Sequence, residues 1–104
     1  MPLNKEIFYQ YGNIIIHKYK DHLSIVFTLD YKFIVTDFEG KYIIVKKIDG
    51  DNVPDFYFIP YENLNIKNIN ELLSLLVRNP EEIIKILTKE EICVKELDIL
   101  YHNY

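Results

Sequence analysis

Hydrophobic and polar residues alternate with a period of two through the first 61 residues, which are rich in β-branched and aromatic side chains. Successive side chains of a β-strand point to opposite faces of a sheet, so this period predicts strands. Residues that favour turns separate the apolar runs. The pattern predicts six strands, over residues 6–10, 13–20, 22–29, 32–38, 41–48 and 55–59.

The connections between these predicted strands are short, which is typical of antiparallel neighbours. Gly12 tolerates the positive φ of a tight turn, Glu39 and Gly40 suit a tight hairpin, and a longer polar loop covers residues 49–52 before Pro54. The sequence therefore predicts an antiparallel β-meander of five to six strands.

One face of this meander is expected to be buried and the other partly exposed to water, as is common in antiparallel sheets. The third predicted strand illustrates this pattern, because apolar side chains share one face, namely Leu23, Ile25, Phe27 and Leu29. Polar side chains occupy the opposite face, namely His22, Ser24 and Thr28. We expect the helices that follow to cover the apolar face.

After Pro60 the apolar period changes to three and four residues, which predicts helices. The first helix carries Ile69, Leu72, Leu73 and Leu76 on one side. Asn68 or Asn70 is available as its N-cap, and the helix is expected to end near Asn79.

A second helix is predicted to begin at Asn79, because an asparagine cap, a first-turn proline and the acids Glu81 and Glu82 follow one another there. Its apolar side consists of Ile83, Ile84 and Leu87. The fold class is thus α+β, with two to three C-terminal helices packed on one face of the sheet.

The last segment has two interpretations. Thr88 and Glu91 have the spacing of a capping box, which predicts a third helix with apolar residues on one side, namely Ile92, Cys93, Leu97, Leu100 and Tyr101. The alternative is a strand through Cys93, Leu97, Ile99 and Tyr101. The sequence does not distinguish helix from strand over residues 89–101.

Composition indicates one globular domain over residues 1–104, with a sheet part over 1–61 and a helical part over 62–104. The chain is 49% hydrophobic and 27% charged, which is ordinary for a folded domain. No apolar run approaches the roughly 20 residues of a membrane span, and the first residues lack the features of a signal peptide. A single cysteine, Cys93, fits a reducing compartment. We expect a soluble, cytoplasmic protein.

Residue usage indicates an AT-rich genome, because Ile, Lys, Asn, Tyr and Phe, which have A/T-rich codons, supply half of the chain. A thermophilic archaeon, one of its viruses or a low-GC bacterium would have such a genome. The small size and this composition fit a viral or mobile-element protein, which would act in the host cytoplasm.

The stretch from residue 30 to residue 64 resembles the central hairpin of PD-(D/E)xK nucleases in its rhythm of strands, with Lys46 or Lys47 in the place of the catalytic lysine. The resemblance implies a Mg²⁺ site built from acids on adjacent strands. The position two before either lysine is Ile44 or Val45 and not an acid, so the expected relative is degenerate. The surface that this alternative assigns to nucleic acid consists of Asp37, Lys41, Lys46 and Lys47.

Overall charge argues against nucleic acid as the main ligand. The net charge is −4, and Arg78 is the only arginine, the residue that recognises phosphates with paired hydrogen bonds. Stacking of single-stranded bases on tyrosines beside lysines is the remaining form of this alternative.

No catalytic, metal or cofactor motif stands out. The three histidines and Cys93 lack the spacing of metal ligands, and three scattered glycines do not build a phosphate loop. We therefore expect a non-enzymatic protein without a cofactor.

Tyrosines are frequent in interfaces, and the acids that begin the second predicted helix could face a basic partner. The candidate protein-binding residues are Tyr9, Tyr11, Tyr19, Glu81 and Glu82. The sequence thus favours an interaction protein that binds a protein partner and forms a homodimer, with nucleic-acid binding as the alternative.

Overall fold

A computed structural model describes residues 7–89 of the chain, which form a six-stranded antiparallel sheet followed by two helices. The strands are β1 (Ile7–Tyr11), β2 (Ile14–Lys18), β3 (His22–Thr28), β4 (Tyr31–Phe38), β5 (Tyr42–Asp49) and β6 (Asp55–Pro60). A 3₁₀ turn (Tyr61–Leu64) leads to α1 (Ile69–Arg78) and α2 (Pro80–Thr88).

Each strand pairs with the next, so the spatial order β1-β2-β3-β4-β5-β6 repeats the chain order. The predicted α+β class and the predicted meander are confirmed. The predicted hairpin turn is confirmed as well, because Glu39 and Gly40 both have positive φ, 57° and 69°. The Gly40 N–H donates to an Asp37 carboxylate oxygen at 3.2 Å, which fixes this turn to the end of β4.

The core lies between the sheet and the two helices. Inward-facing side chains of the sheet are buried, among them Ile16, Ile25, Phe33 and Ile43. The helices add side chains from the positions that the period predicted, namely Ile69, Leu72, Leu73, Leu76, Ile83, Ile84 and Leu87. The apolar side of the helices therefore covers one face of the sheet, as expected.

α2 crosses the sheet from edge to edge. Near its start, the Tyr11 hydroxyl of β1 donates to the Glu81 carboxylate at 3.1 Å. At its end, the Tyr57 hydroxyl of β6 donates to the Leu87 carbonyl oxygen, and the Lys89 Nζ lies 4.3 Å from the centroid of the Tyr57 ring. These contacts hold both ends of the helix against the edge strands.

The two helix starts differ in their capping. The Asn68 side chain accepts from the Glu71 N–H at 3.0 Å, so Asn68 is the N-cap of α1. Asn79 stands at the N-cap of α2 and Pro80 begins that helix, as predicted, but the Asn79 side chain makes no capping hydrogen bond. The Asn79 carbonyl oxygen instead accepts from the Ile83 N–H at 3.1 Å.

One core prediction was wrong. Leu29 was expected to share the buried face of the third strand, but β3 ends at Thr28 and Leu29 is 93% exposed. The register of β3 against β4 shifts between Val26 and Thr28, and this irregularity turns the chain before Leu29.

The segment with two interpretations, residues 89–101, lies outside the described residues except for Lys89, which ends α2 in a left-handed conformation with φ of 59°. Neither described helix is both long enough and apolar enough to cross a membrane.

Two leucines test this description of the core. Leu76→Ala removes a fully buried side chain, so we expect a loss of about 2–5 kcal/mol in the free energy of unfolding, measured in urea. The matched control is Leu29→Ala, which removes the same atoms from an exposed site and should change stability by less than about 0.5 kcal/mol. Equal losses in the two variants would contradict the assignment of the buried face.

Candidate functional site

The face of the sheet opposite the helices is the candidate site, and we call it the open face. It is formed by the outward-facing side chains of the strands, which the register places side by side. Its members from β2 to β6 are Ile15, His17, His22, Ser24, Val26, Lys32, Ile34, Thr36, Phe38, Tyr42, Ile44, Lys46, Ile48, Phe56 and Phe58. Within residues 7–89, no helix or strand packs across this face.

Large apolar side chains are exposed on the open face. Phe56 is 59% exposed, Phe58 is 55% exposed and Phe38 is 37% exposed. Ile34 and Ile44, on the central strands, are partly exposed. A contiguous apolar surface of this kind, in contrast to scattered single residues, is typical of an interaction site.

Three aromatic rings form a cluster at the end of the open face, and we call Phe38, Tyr42 and Phe58 the aromatic cluster. The Phe58 ring stands nearly perpendicular to both others, at 84°, with centroid distances of 5.6 Å to Phe38 and 6.2 Å to Tyr42. The Phe38 and Tyr42 centroids are 6.4 Å apart. Edge-to-face pairs of this geometry are stabilising, so the cluster is an ordered surface.

Charge on the open face is of one sign. Its lysines are Lys32 and Lys46, and none of the outward-facing positions of the described strands carries Asp or Glu. The Lys46 Nζ lies 5.6 Å from the centroid of the Phe56 ring, within the range of a cation–π contact. The open face is thus apolar and weakly cationic in a chain whose net charge is −4.

The structure separates the residues of the nuclease-like alternative. Lys46 faces the open side, whereas Lys47 faces the helix side, where its Nζ lies 5.6 Å from the Tyr31 ring centroid. Lys41 is exposed in the turn between β4 and β5. Asp37 also faces the helix side, opposite Ile43. These four side chains therefore do not converge on one groove.

Asp37 has a role in packing. One of its carboxylate oxygens accepts from the Tyr61 hydroxyl at 2.5 Å, and the other accepts from the Gly40 N–H. Tyr61 is only 3% exposed, and burial together with the hydrogen bond and charge of Asp37 raises the pKa of its hydroxyl. The pair joins the hairpin turn to the start of the helical part.

The tyrosines of the predicted protein-binding surface fall on two faces. Tyr9 and Tyr11 lie on the helix side of β1, and Tyr9 packs against the core. Tyr11 meets Glu81 through its hydroxyl, and this hydrogen bond raises the pKa of the tyrosine. Tyr19 lies after β2 and stacks on His22 of the open face, with a centroid distance of 4.5 Å.

The acids of the predicted surface both lie in the first turn of α2. Glu81 is held by Tyr11, and Glu82 is exposed beside it. The structure therefore brings together Tyr11, Glu81 and Glu82 at the β1 edge, and it places Tyr19 at the margin of the open face.

Sequence reasoning missed the aromatic cluster. The signal was present, because Phe56 and Phe58 alternate with Tyr57 and Ile59 along one strand. Apolar residues at every position of a strand indicate that both faces are apolar. The pairing of Phe58 with Ile44 depends on the register of β5 against β6, which periodicity does not provide.

Among residues 7–89, no group of three or more His, Cys, Asp or Glu side chains is placed to hold a metal ion. In comparisons with known proteins, no protein-family model, curated protein or solved structure matches this chain.

The Asp37–Tyr61 pair makes stability depend on pH in a defined direction. The folded protein favours the neutral Tyr61 hydroxyl. The contribution of the pair to the free energy of unfolding is therefore complete below the ordinary tyrosine pKa of 10.0, and it is lost as pH rises above that value towards the higher pKa of the folded protein. We expect Tyr61→Phe to cost about 1–3 kcal/mol of unfolding free energy at neutral pH, since it leaves a carboxylate oxygen without its donor. The difference from wild type should shrink above pH 10 in urea titrations.

The control for this prediction is Tyr11→Phe, which removes a hydroxyl from the exposed bond to Glu81. Its effect at neutral pH should stay below about 0.5 kcal/mol. A Tyr61→Phe curve that runs parallel to wild type from pH 8 to pH 12 would contradict the predicted coupling.

Proposed function

We propose that this protein is a non-enzymatic interaction protein that binds another protein through the open face and also self-associates. The observation that carries the proposal is the exposure of Phe38, Phe56 and Phe58 beside partly exposed isoleucines on one continuous face. Burial of such side chains against a partner releases about 25 cal/mol per Å² of apolar surface.

The size of the open face suits a protein partner. Six strands have five spacings of about 4.8 Å, so the face is about 24 Å wide, and strands of this length extend about 20 Å. The projected area is roughly 500 Å², and its exposed phenylalanines lie on β4 and β6, whereas Ser24 on β3 is only 8% exposed.

The charge of the open face indicates the chemistry of the partner. Lys32 and Lys46 would attract acidic groups, and the absence of outward-facing acids on the described strands leaves nothing to repel them. The partner surface is therefore apolar, with acidic residues placed to meet Lys32 and Lys46, since complementary charges favour orientation and association rate. The single cysteine supports a reducing compartment such as the cytoplasm as the place of this function.

Nucleic-acid binding is the second candidate, and one observation favours it. Lys46 and Phe56 lie together on the open face, and single-stranded nucleic acids bind where cations adjoin aromatic rings. The geometry gives less support to stacking by Phe58, whose ring is edge-on between Phe38 and Tyr42. The net charge of −4 also opposes a polyanion.

Substitution at the centre of the open face tests the proposed partner surface. Ile44→Lys places a charge among apolar neighbours, so proteins captured from a lysate of the source cells by wild type should fall at least tenfold with this variant. The matched control is Val77→Lys, on the exposed side of α1. This variant should capture the same proteins as wild type in the same amounts. Mass spectrometry measures the captured proteins, and titration calorimetry with the purified partner confirms direct binding.

A partner that is captured equally by Ile44→Lys and wild type would contradict the proposal, as would the failure of every captured protein to bind once purified. Thermal melts of both variants verify folding.

Light scattering coupled to size-exclusion chromatography separates the two candidate functions. Wild type with single- or double-stranded DNA or RNA at low salt should elute without bound nucleic acid. A complex that dissociates as salt rises, and that weakens with Lys46→Ala, would replace the protein-binding proposal with the nucleic-acid alternative.

A further inference from the structure

β6 is the last strand of the sheet among the described residues, so one side of its main chain faces away from β5. The Tyr61 N–H donates to the Lys41 carbonyl oxygen at 3.0 Å, in register with the β5–β6 ladder. Main-chain groups alternate along an antiparallel strand, so those of Tyr57 point to β5 and those of Phe56 and Phe58 point outward. The outer edge of β6 therefore presents two N–H and C=O pairs.

Prolines border this edge. Pro54 precedes β6 and Pro60 is its last residue. Both are an even number of residues away from Phe56 and Phe58, so their main-chain groups lie on the same outer side of the strand. Proline has no N–H, so the outward-facing donors are confined to the two phenylalanines. An added strand can form a complete ladder only along residues 56–58.

We propose that a second copy of this chain binds here, by antiparallel pairing of β6 with β6 about a twofold axis. In the register that places Phe56 opposite Phe58 of the other copy, each such pair exchanges two N–H···O=C bonds, for four in total. Tyr57 then faces its own counterpart. This register alone keeps Pro54 and Pro60 outside the hydrogen-bonded pairs.

The side chains favour the same arrangement. Phe56 and Phe58 are the most exposed aromatic residues of the open face, and each would cover the other across the axis. Asp55 would lie opposite Ile59, so the paired strands place no like charges directly against each other. The four rings of two copies would form one apolar ridge.

Pairing at β6 would also join the two open faces. The described strands of two copies would form one sheet of twelve strands, with the described helices on one side and the two open faces joined on the other. The inference thus deepens the proposed self-association and rests on that part of the proposed function, because it names the interface and its register. A twofold contact between identical edges closes on itself and forms a dimer without further growth.

The contact is small, since it adds three residues of main chain and two rings from each copy. It lies below the standard interface of about 800 Å² per partner. We therefore expect a reversible dimer whose mass rises with concentration from 12.5 kDa towards twice that value, with dissociation in the micromolar range.

The test compares two substitutions in the full chain at one position. Phe58→Ala removes the ring and keeps the outward N–H, whereas Phe58→Pro removes both and leaves the bonds to β5 intact. By analytical ultracentrifugation, we expect the dissociation constant to rise about tenfold in Phe58→Ala and at least a hundredfold in Phe58→Pro. Equal effects of the two variants, or a wild type that is monomeric at millimolar concentration, would overturn the inference.

Hydrogen exchange of wild type provides a second test that does not depend on the folding of a variant. The amides of Phe56 and Phe58 should gain at least tenfold protection as concentration rises through the dissociation constant. The Tyr57 amide, bonded to β5, should show no such dependence. Protection of Phe56 and Phe58 that is independent of concentration would indicate coverage by the chain itself and would overturn the inference.

The two proposals fail in distinguishable ways. Phe58 belongs to both surfaces and lies beside Ile44, so the separation rests on hydrogen exchange of wild type, which reports the β6 main chain alone, and on Ile44→Lys, which keeps the main-chain groups of β6. Concentration-independent exchange at Phe56 and Phe58, with partner capture still sensitive to Ile44→Lys, would eliminate the β6 interface alone.

Discussion

The structure depends on one geometric constraint. Successive side chains of a strand point to opposite faces of the sheet, and the described helices cover only one of these faces. On the covered face this alternation builds the core, where Phe33 and Ile43 belong to one buried cluster with leucines of α1 and α2. On the other face it exposes Ile34, Ile44 and Phe58. Exposed apolar side chains such as Phe58 would be stabilised by a second cover, because the removal of apolar surface from water is favourable. The proposed interactions supply that cover.

The same alternation decides which chemistry the charged residues can perform. Adjacent lysines in one strand cannot serve one groove, and Lys46 and Lys47 accordingly lie on opposite faces of the sheet. Asp37 falls on the helix side, where Tyr61 and the turn at Gly40 occupy both carboxylate oxygens. A carboxylate with these partners is part of the packing. The residues of the nuclease-like motif are adjacent in sequence but lie on opposite faces of the sheet. This separation argues against the nuclease-like hypothesis.

Sequence periodicity predicted most of the fold, because each signal was local. Turn chemistry located Gly40, and the capping pattern placed the start of α1 at Asn68 or Asn70, of which Asn68 is the N-cap. The error at Leu29 arose where the register of two strands shifts, which depends on a pairing that no single strand encodes. The candidate site was predicted less well for the same reason. Tyr11 and Glu81 are 70 residues apart, and their contact depends on where α2 crosses the sheet.

The open face and the outer edge of β6 meet at Phe56 and Phe58, where both the side chains and the main chain face outward. An exposed edge invites unspecific pairing, and natural sheets limit it with short strands and prolines. Pro54 and Pro60 restrict β6 in this way, yet they leave two donors between them. An edge with two N–H donors favours a partner strand that has two carbonyl acceptors at the same spacing. Another β6 would meet this requirement by symmetry, so prolines that limit pairing at this edge are compatible with the proposed self-pairing.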